Sequence, residues 1–397
     1  MKKRFTLGTV LALIMLTAVT SVIIAYLIAK QQFEDGADML AVQQQELAKY
    51  REAREIIHKN YIKTVDDDVL VDGAIRGMVS VLGDEYSYYL DTKEYQAYKD
   101  SQGSPSGIGV VAGVSEMGDI LIEEVYENSP AWELGLGRSD RILAVDGRSV
   151  NRENCLLSIT SLAGEENTRV ELTVLKASDG STVDLSLVRR RIDFRAVYSE
   201  ILSGQNIGLI RVRNFNQNVD RDFRDAIVHL QNAKVDALII DVRNNPGGQI
   251  DVMCPMLSML LPQDTPLITL RDRNGKEYQR TSTGSDGFDL PMIVLINEGS
   301  RSAAEFFAAA LHEYDRAKLV GDPTLGKGYA QETVPMEKYK SAIILSIREY
   351  FTPHGRSLSG VGLTPDYPVS LSGDVSVYTL PQERDSQLQK AIEVLLS

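Results

Sequence analysis

Cysteine and histidine are scarce in this chain of 397 residues: there are two cysteines and four histidines. Cys155 and Cys254 fall in segments assigned below to different domains, which argues against a structural disulfide. Both read as small buried residues. His58, His229, His312 and His354 are scattered without H-x-x-x-H spacing, and no cysteine adjoins them, so no metal site and no cofactor is expected. Positive charge is also short. The net charge of -13 lacks the concentrated basic surface that phosphate binding needs, so nucleic acid is not expected as a partner. What the chain does have is 43% hydrophobic and 24% charged residues, enough for two or three globular units.

Lys2, Lys3 and Arg4 precede an uncharged, mostly apolar stretch over residues 5–29. As a helix, this run is long enough to cross a hydrocarbon core of roughly 30 Å. A cleaved secretory signal is the alternative, but its apolar region is usually only about 7–15 residues and ends in an A-x-A-like site. The expectation is a single-pass anchor in the cell membrane, with the basic tip in the cytoplasm and everything after Lys30 extracytoplasmic. Residues 38–61 carry Leu40, Leu47, Ile56 and Ile57 at helical intervals and read as an amphipathic helix. A second helical piece is expected over 69–81. These helices either space the remainder from the bilayer or support a homodimer.

A loop of Gly, Ser and Pro at 102–107 opens a region of short apolar runs and turns: 108–111, 120–125, 141–145 and 170–175. This reads as a small, mostly β domain. From Asn206 the pattern changes to strands interleaved with helices. Strands are expected at 207–212, 237–242, 292–297 and 318–321, and helices at 220–232, 252–261 and 302–314, an α/β core with helices packed on a sheet. The fold class is therefore α+β multidomain.

Residues 291–297 form an apolar strand that ends in Glu298-Gly299-Ser300-Arg301-Ser302 and runs into a helix. Ser302 then sits at a helix start, where unpaired backbone N–H groups and the helix dipole favour developing negative charge and can stabilise an acyl-transfer oxyanion. Ser302-x-x-Glu305 is equally a capping box. The next segment contains Gly326-Lys327-Gly328. If the chain is extended there, Lys327, Tyr329 and Gln331 point to one side. A lysine buried in an apolar site is pushed towards the neutral form that a general base needs, and Gln331 could hold its amine. Other readings of this turn are a solvated loop lysine or a phosphate-binding loop. Gly321 to Lys327 fits Gly-x-x-x-x-Gly-Lys, but Gly328 stands where a hydroxyl residue would bind magnesium. A Ser-His-Asp enzyme is disfavoured because no Gly-x-Ser-x-Gly elbow is present; His354, in the turn 352–355, remains a rival base.

At these residues the sequence resembles the C-terminal processing peptidases, or tail-specific proteases, which carry a Ser/Lys dyad. The likeness covers nearly everything after about residue 45. It runs through Gly73-Ala74-Ile75-Arg76-Gly77-Met78, Ser106-Gly107-Ile108-Gly109, Ser129-Pro130-Ala131 and Asp241-Val242-Arg243-Asn244-Asn245-Pro246-Gly247-Gly248. It continues through the Ser302 and Lys327 segments to Tyr350-Phe351-Thr352-Pro353-His354-Gly355-Arg356-Ser357. The lysine follows the serine by 25 positions and the glutamine follows the lysine by four, as in that family. The resemblance implies Ser302 as nucleophile, Lys327 as general base and Gln331 as the group orienting the lysine. It also places the glycine loop at the site, so that Gly247 or Gly248, together with Ala303, is expected to form the oxyanion hole. The β region looks like a PDZ domain whose loop Gly107, Ile108, Gly109 and Val110 receives a peptide carboxylate. One departure stands out: Leu162-Ala163-Gly164 replaces an arginine that many relatives have before this glycine.

The expected organisation is a cytoplasmic tip and anchor (1–30), a helical N-terminal region (31–103), a PDZ domain (104–190) and a serine peptidase core with a C-terminal helical segment (191–397). The expected activity is cleavage of extracytoplasmic proteins with accessible C-termini. The alternative from another class is a catalytically inactive PDZ scaffold that binds protein C-termini.

Overall fold

The computed structural model describes residues 7–101, 106–152, 154–192, 195–284, 289–372, 376–378 and 380–397. The chain divides into two units between Ile75 and Arg76.

The first unit is dominated by one helix, Leu7–Asn60, where the sequence suggested a separate apolar segment and amphipathic helix. No proline interrupts this stretch, so nothing forces a break between them. The next helix, Asp67–Ser80, is tied back by Asp67, which pairs with His58 (2.8 Å) and Arg54 (3.4 Å). Among the described residues no helix is long and apolar enough to cross a membrane. The expected anchor includes residues 1–6 and the side chains of 9–14, which lie outside the described residues.

The second unit holds the β domain and the α/β core. In the β domain, strands Val110–Val114, Ile120–Val125, Arg141–Val145, Arg169–Leu175 and Thr182–Val188 form an antiparallel sheet in that order. Their inward side chains, including Ile120, Ile122, Ile142, Val170, Leu172 and Val174, make a core of their own with Cys155. The strand expected at 108–111 is interrupted, because the backbone turns at Gly109 before Val110 joins the sheet.

The core sheet runs Val197–Ile201, Ile207–Val212, Ala237–Asp241, Met292–Ile296, Lys318–Gly321 and Tyr367–Pro368, parallel from the second strand onward. Period-two alternation splits its apolar residues between two faces. Leu238, Ile240, Val294 and Ile296 pack under helices Val219–Ala233, Ile250–Ser258 and Ala303–Glu313. Ala237, Ile239, Ile293 and Leu295 pack on the C-terminal helix Ser386–Leu396. Burial on both faces explains why these strands read as unbroken apolar runs. A second, antiparallel sheet went unforeseen: Tyr88–Leu90, Pro266–Asp272, Glu277–Thr281, Tyr329–Met336 and Ser341–Phe351. Cys155 and Cys254 are buried and free, one in each domain.

Candidate active site

Three neighbouring parallel strands, Ala237–Asp241, Met292–Ile296 and Lys318–Gly321, deliver the three site segments from their carboxyl ends, where open α/β sheets form their crevices. The first two loops are laced together. Asn297 Oδ1 accepts from Asn244 N (2.8 Å), Asn297 Nδ2 donates to Asn244 Oδ1 (2.7 Å), and Arg301 N donates to Asn245 O (2.9 Å). The base of the glycine loop is fixed by Arg243, fully buried between Asp241 and Asp385.

Ser302 is the N-cap of the helix Ala303–Glu313, at φ 53° and ψ -121°. A serine held at positive φ is strained, and such strain persists only where the surroundings impose it. Gly247 is part of those surroundings. At φ +99° it lies so close to the Ser302 turn that a Cβ there would meet Arg301 O at 2.8 Å and Ser302 Cβ at 2.9 Å. Its own N–H donates to Asn245 Oδ1 (2.8 Å). The N–H groups of Gly248 and Ala303 have no acceptor among the described residues, so of the residues expected at an oxyanion hole these two carry the open donors.

Glu305 is the residue that sequence reasoning undervalued. The capping box is present, but the same carboxylate reaches much further. Oε2 accepts from Ser302 N (2.8 Å) and Lys327 N (2.9 Å), while Oε1 accepts from Thr324 Oγ1 (2.6 Å) and Gly326 N (2.7 Å). Glu305 thus fastens the Ser302 turn to the Lys327 loop. Its side chain is fully buried, and burial raises its pKa against the opposing pull of these hydrogen bonds.

The half-buried Lys327 points its amine at the face of Tyr86, 4.5 Å from the ring centroid. Burial lowers its pKa first and the positive charge of Arg301 second, against Asp84, Glu85 and Glu305. Among the described residues Nζ makes no hydrogen bond to Ser302 Oγ and no ion pair. A cavity of about 960 Å³ beside it is lined by Tyr86, Leu325, Gly326 and Tyr329.

The strand begins at Tyr329, not Lys327, and a β-bulge falls between Ala330 and Gln331. The expected alternation of Lys327, Tyr329 and Gln331 is therefore broken. Gln331 Nε2 donates to Tyr329 O (3.0 Å) and Ser346 Oγ (3.2 Å) rather than meeting the lysine amine. His354 is remote: its ring packs on Tyr314, and its N–H donates to Glu313 at the opposite end of the helix. An 11-residue helix spans about 16 Å, so His354 cannot serve as base for Ser302.

In the β domain the carbonyls of Ile108 and Gly109 accept from Ala131 N and Tyr126 N, both at 2.9 Å, whereas the N–H groups of Ile108 and Gly109 have no acceptor among the described residues. Gly107 pairs with Arg190, and Val110 starts the edge strand Val110–Val114, beside the helix Cys155–Thr160. Open donors next to a free strand edge match the way such domains hold peptide ends.

Comparison with known proteins agrees with this architecture. Residues 206–369 match Peptidase family S41, residues 105–187 match the PDZ domain family, and residues 13–94 match the activating protease CtpB N-terminal domain. Carboxy-terminal processing protease CtpA of Bacillus subtilis (strain 168) is 31% identical over 360 residues, 90% of this chain and 76% of that protein. CtpB of the same organism is 31% identical over 320 residues, 80% of this chain and 66% of that protein. Among solved structures, the photosystem II D1 C-terminal processing protease aligns with a TM-score of 0.64 at 25% identity, covering 82% of this chain and 88% of that one. With its serine at the head of a core helix, its lysine loop beside it and its PDZ domain in the same order, the chain belongs to the S41 family of C-terminal processing serine proteases.

Proposed function

We propose that this peptidase is a membrane-tethered endopeptidase that cuts extracytoplasmic proteins near their C-termini, with Ser302 as nucleophile and Lys327 as general base. The observation that carries the reading is the convergence of the Ser302 and Lys327 N–H groups on Glu305 Oε2, which brings the two segments to one point. Lys327 leaves the face of Tyr86 to take the Ser302 proton as Oγ attacks the peptide carbonyl, and returns it to the leaving amine. Water then hydrolyses the acyl-enzyme. Gly248 and Ala303 N–H groups receive the oxyanion. Gln331 acts on the lysine through the bulge it braces with Ser346.

The PDZ loop holds the substrate carboxylate on the N–H groups of Ile108 and Gly109, and the edge strand Val110–Val114 pairs with the peptide. Support for tethering comes from the first helix, where Met15, Leu16, Val19, Val22, Ile23, Ile24, Leu27 and Ile28 are all exposed. Such a surface is stable against lipid and costly in water. The basic N-terminal residues orient the catalytic part outside the cytoplasm, and the long first helix offers a surface for a homodimer.

The decisive experiment is turnover by purified Ser302→Ala and Lys327→Ala proteins. Both should lose peptide hydrolysis while remaining folded; retained turnover in either rejects the dyad. Labelling by a serine-directed covalent probe that vanishes in Ser302→Ala separates an enzyme from a scaffold.

A further inference from the structure

The four residues before the strand Tyr88–Leu90 form a tight turn around one carboxylate. Asp84 Oδ1 accepts from Tyr86 N (3.0 Å), Oδ2 accepts from the Ser87 hydroxyl, and Asp84 O accepts from Ser87 N (3.1 Å). An aspartate that takes the N–H two residues on closes an Asx turn, which fixes the direction of the side chain between them. The far end of the turn is tied to the antiparallel sheet. Ser87 is buried, and its hydroxyl accepts from Ser346 N (3.0 Å), while Ser346 Oγ accepts from Gln331 Nε2 (3.2 Å). What the turn presents is the ring of Tyr86, with Lys327 Nζ 4.5 Å from its centroid. Tyr86, Ser87 and Ser346 also line the cavity of about 960 Å³, which leaves open space beside the ring. An aromatic face within about 6 Å attracts an ammonium through its quadrupole and has no such hold on a neutral amine.

We propose that Tyr86 is a positioning residue for the base: its ring, aimed by Asp84, Ser87 and Ser346, holds the Lys327 ammonium off Ser302 and lets the neutral amine go. The inference rests on Lys327 acting as base. The ammonium gives its proton to solvent, loses its attraction to the ring, and as a free amine turns to take the Ser302 hydroxyl proton. Position and protonation are thereby coupled, because the form that cannot accept a proton is the form the ring retains. The other charges around the amine divide by sign. Asp84 and Glu85 on the turn and Glu305 on the helix after Ser302 favour the ammonium. Arg301 opposes it, and is itself paired with Glu123 of the PDZ strand Ile120–Val125.

The test is the pH profile of kcat/KM for the full-length enzyme, read with a quenched fluorescent peptide that has a free, apolar C-terminus. Tyr86→Leu removes the attraction to the ammonium and should move the acid limb down by about half to one pH unit. Tyr86→Phe keeps the ring and should keep the wild-type limb. Ser87→Ala loosens the turn without changing any charge and should move the limb down by less, and Ser87→Thr, which restores the hydroxyl, should bring it back. An unmoved or raised limb in Tyr86→Leu overturns the proposal, including the case of a uniform loss at every pH, which would mean a structural ring only. A limb that falls as far in Tyr86→Phe as in Tyr86→Leu also overturns it, since the hydroxyl and not the ring would then matter. Should Tyr86→Leu fail to fold, Ser87→Ala carries the test, and an unmoved limb there overturns the proposal. Activity surviving in Lys327→Ala rejects the dyad itself; its loss there, combined with an unmoved limb in Tyr86→Leu, rejects only the role of Tyr86.

Discussion

The backbone N–H of Ser302 and the backbone N–H of Lys327 donate to the same oxygen, Oε2 of Glu305, at 2.8 and 2.9 Å. Two segments that leave neighbouring strands are thereby registered by one buried carboxylate, which takes up their main-chain N–H groups and not the side chains of the proposed dyad. A dyad built this way is held through its main chain. The lysine amine can rest on Tyr86 and turn to the serine without disturbing the loop that carries it.

Removing that carboxylate should therefore damage alignment more than chemistry. Glu305→Ala leaves four donors without their acceptor: Ser302 N, Lys327 N, Gly326 N and Thr324 Oγ1. Displacement of a catalytic group by about 1 Å can cost ~100-fold in rate, and a loss of that order in kcat is expected. Stability should fall by about 2 kcal/mol or more from the orphaned buried donors, as measured by urea unfolding. Wild-type kcat in a folded Glu305→Ala protein would count against the carboxylate as the link between the loops.

Lys327 gives a pH dependence with a definite sign. Burial, then Arg301, holds its folded-state pKa below that of a free lysine. Between the folded and unfolded values the unfolded chain binds more protons, so this residue's contribution to stability rises with pH across that window. At neutral pH its burial is unfavourable. Lys327→Met should therefore be more stable than the wild type at neutral pH, with an advantage that shrinks as pH approaches the ordinary lysine value. Urea unfolding of both proteins at stepped pH measures this gap, and a gap that widens with pH would contradict the assignment. The acid limb of wild-type kcat/KM should likewise lie below the pKa of a free lysine.

Much of the core was legible because its strands are buried on both sides. Ala237–Asp241 and Met292–Ile296 read as continuous apolar runs for that reason, and the core helices Val219–Ala233 and Ala303–Glu313 carry their own period. The antiparallel sheet was not legible. Glu277–Thr281 is exposed along its whole length, so no burial selects an alternating pattern there. Ser302 and Lys327 stand out by motif and spacing, but the role of Glu305 does not. The capping box announces its local bond to Ser302, whereas Thr324, Gly326 and Lys327 are brought to it only by the folding of the sheet. Arg301 and Glu123 are 178 positions apart, and nothing local marks them as a pair. Gln331 shows the opposite error, where a strand period was extended through a bulge that the sequence does not announce.

Asp385 should prove to be a stability residue with consequences at the site. It caps the C-terminal helix by accepting from Leu388 N (2.9 Å) and pairs with the fully buried Arg243 at 2.8 and 3.0 Å. Arg243 begins the turn that leads to Asn244, Asn245 and Gly247. Asp385→Ala leaves a buried guanidinium short of one partner, although Asp241 still holds it (2.7 Å). The expected loss is about 3–5 kcal/mol, visible as a lower urea midpoint. Asp385→Asn, which retains an acceptor for Leu388, should lose less. Equal losses would show that the charge, not the cap, matters most.

Recognition by the PDZ domain should depend on the free carboxylate of the peptide. Among the described residues the N–H groups of Ile108 and Gly109 lie together without acceptors, while the neighbouring carbonyls are already used by Ala131 and Tyr126. The loop therefore presents donors and no open acceptor on these residues, which suits an anion and not a neutral amide. Hydrogen bonds to a charged group contribute about 1.5–3 kcal/mol, so amidating the C-terminus should weaken binding roughly 10- to 100-fold. The measurement is fluorescence anisotropy of paired carboxylate and amide peptides on Ser302→Ala protein, which binds without cutting. Equal affinities would place the peptide terminus elsewhere, and the free edge of Val110–Val114 would then hold an internal stretch of chain rather than its end.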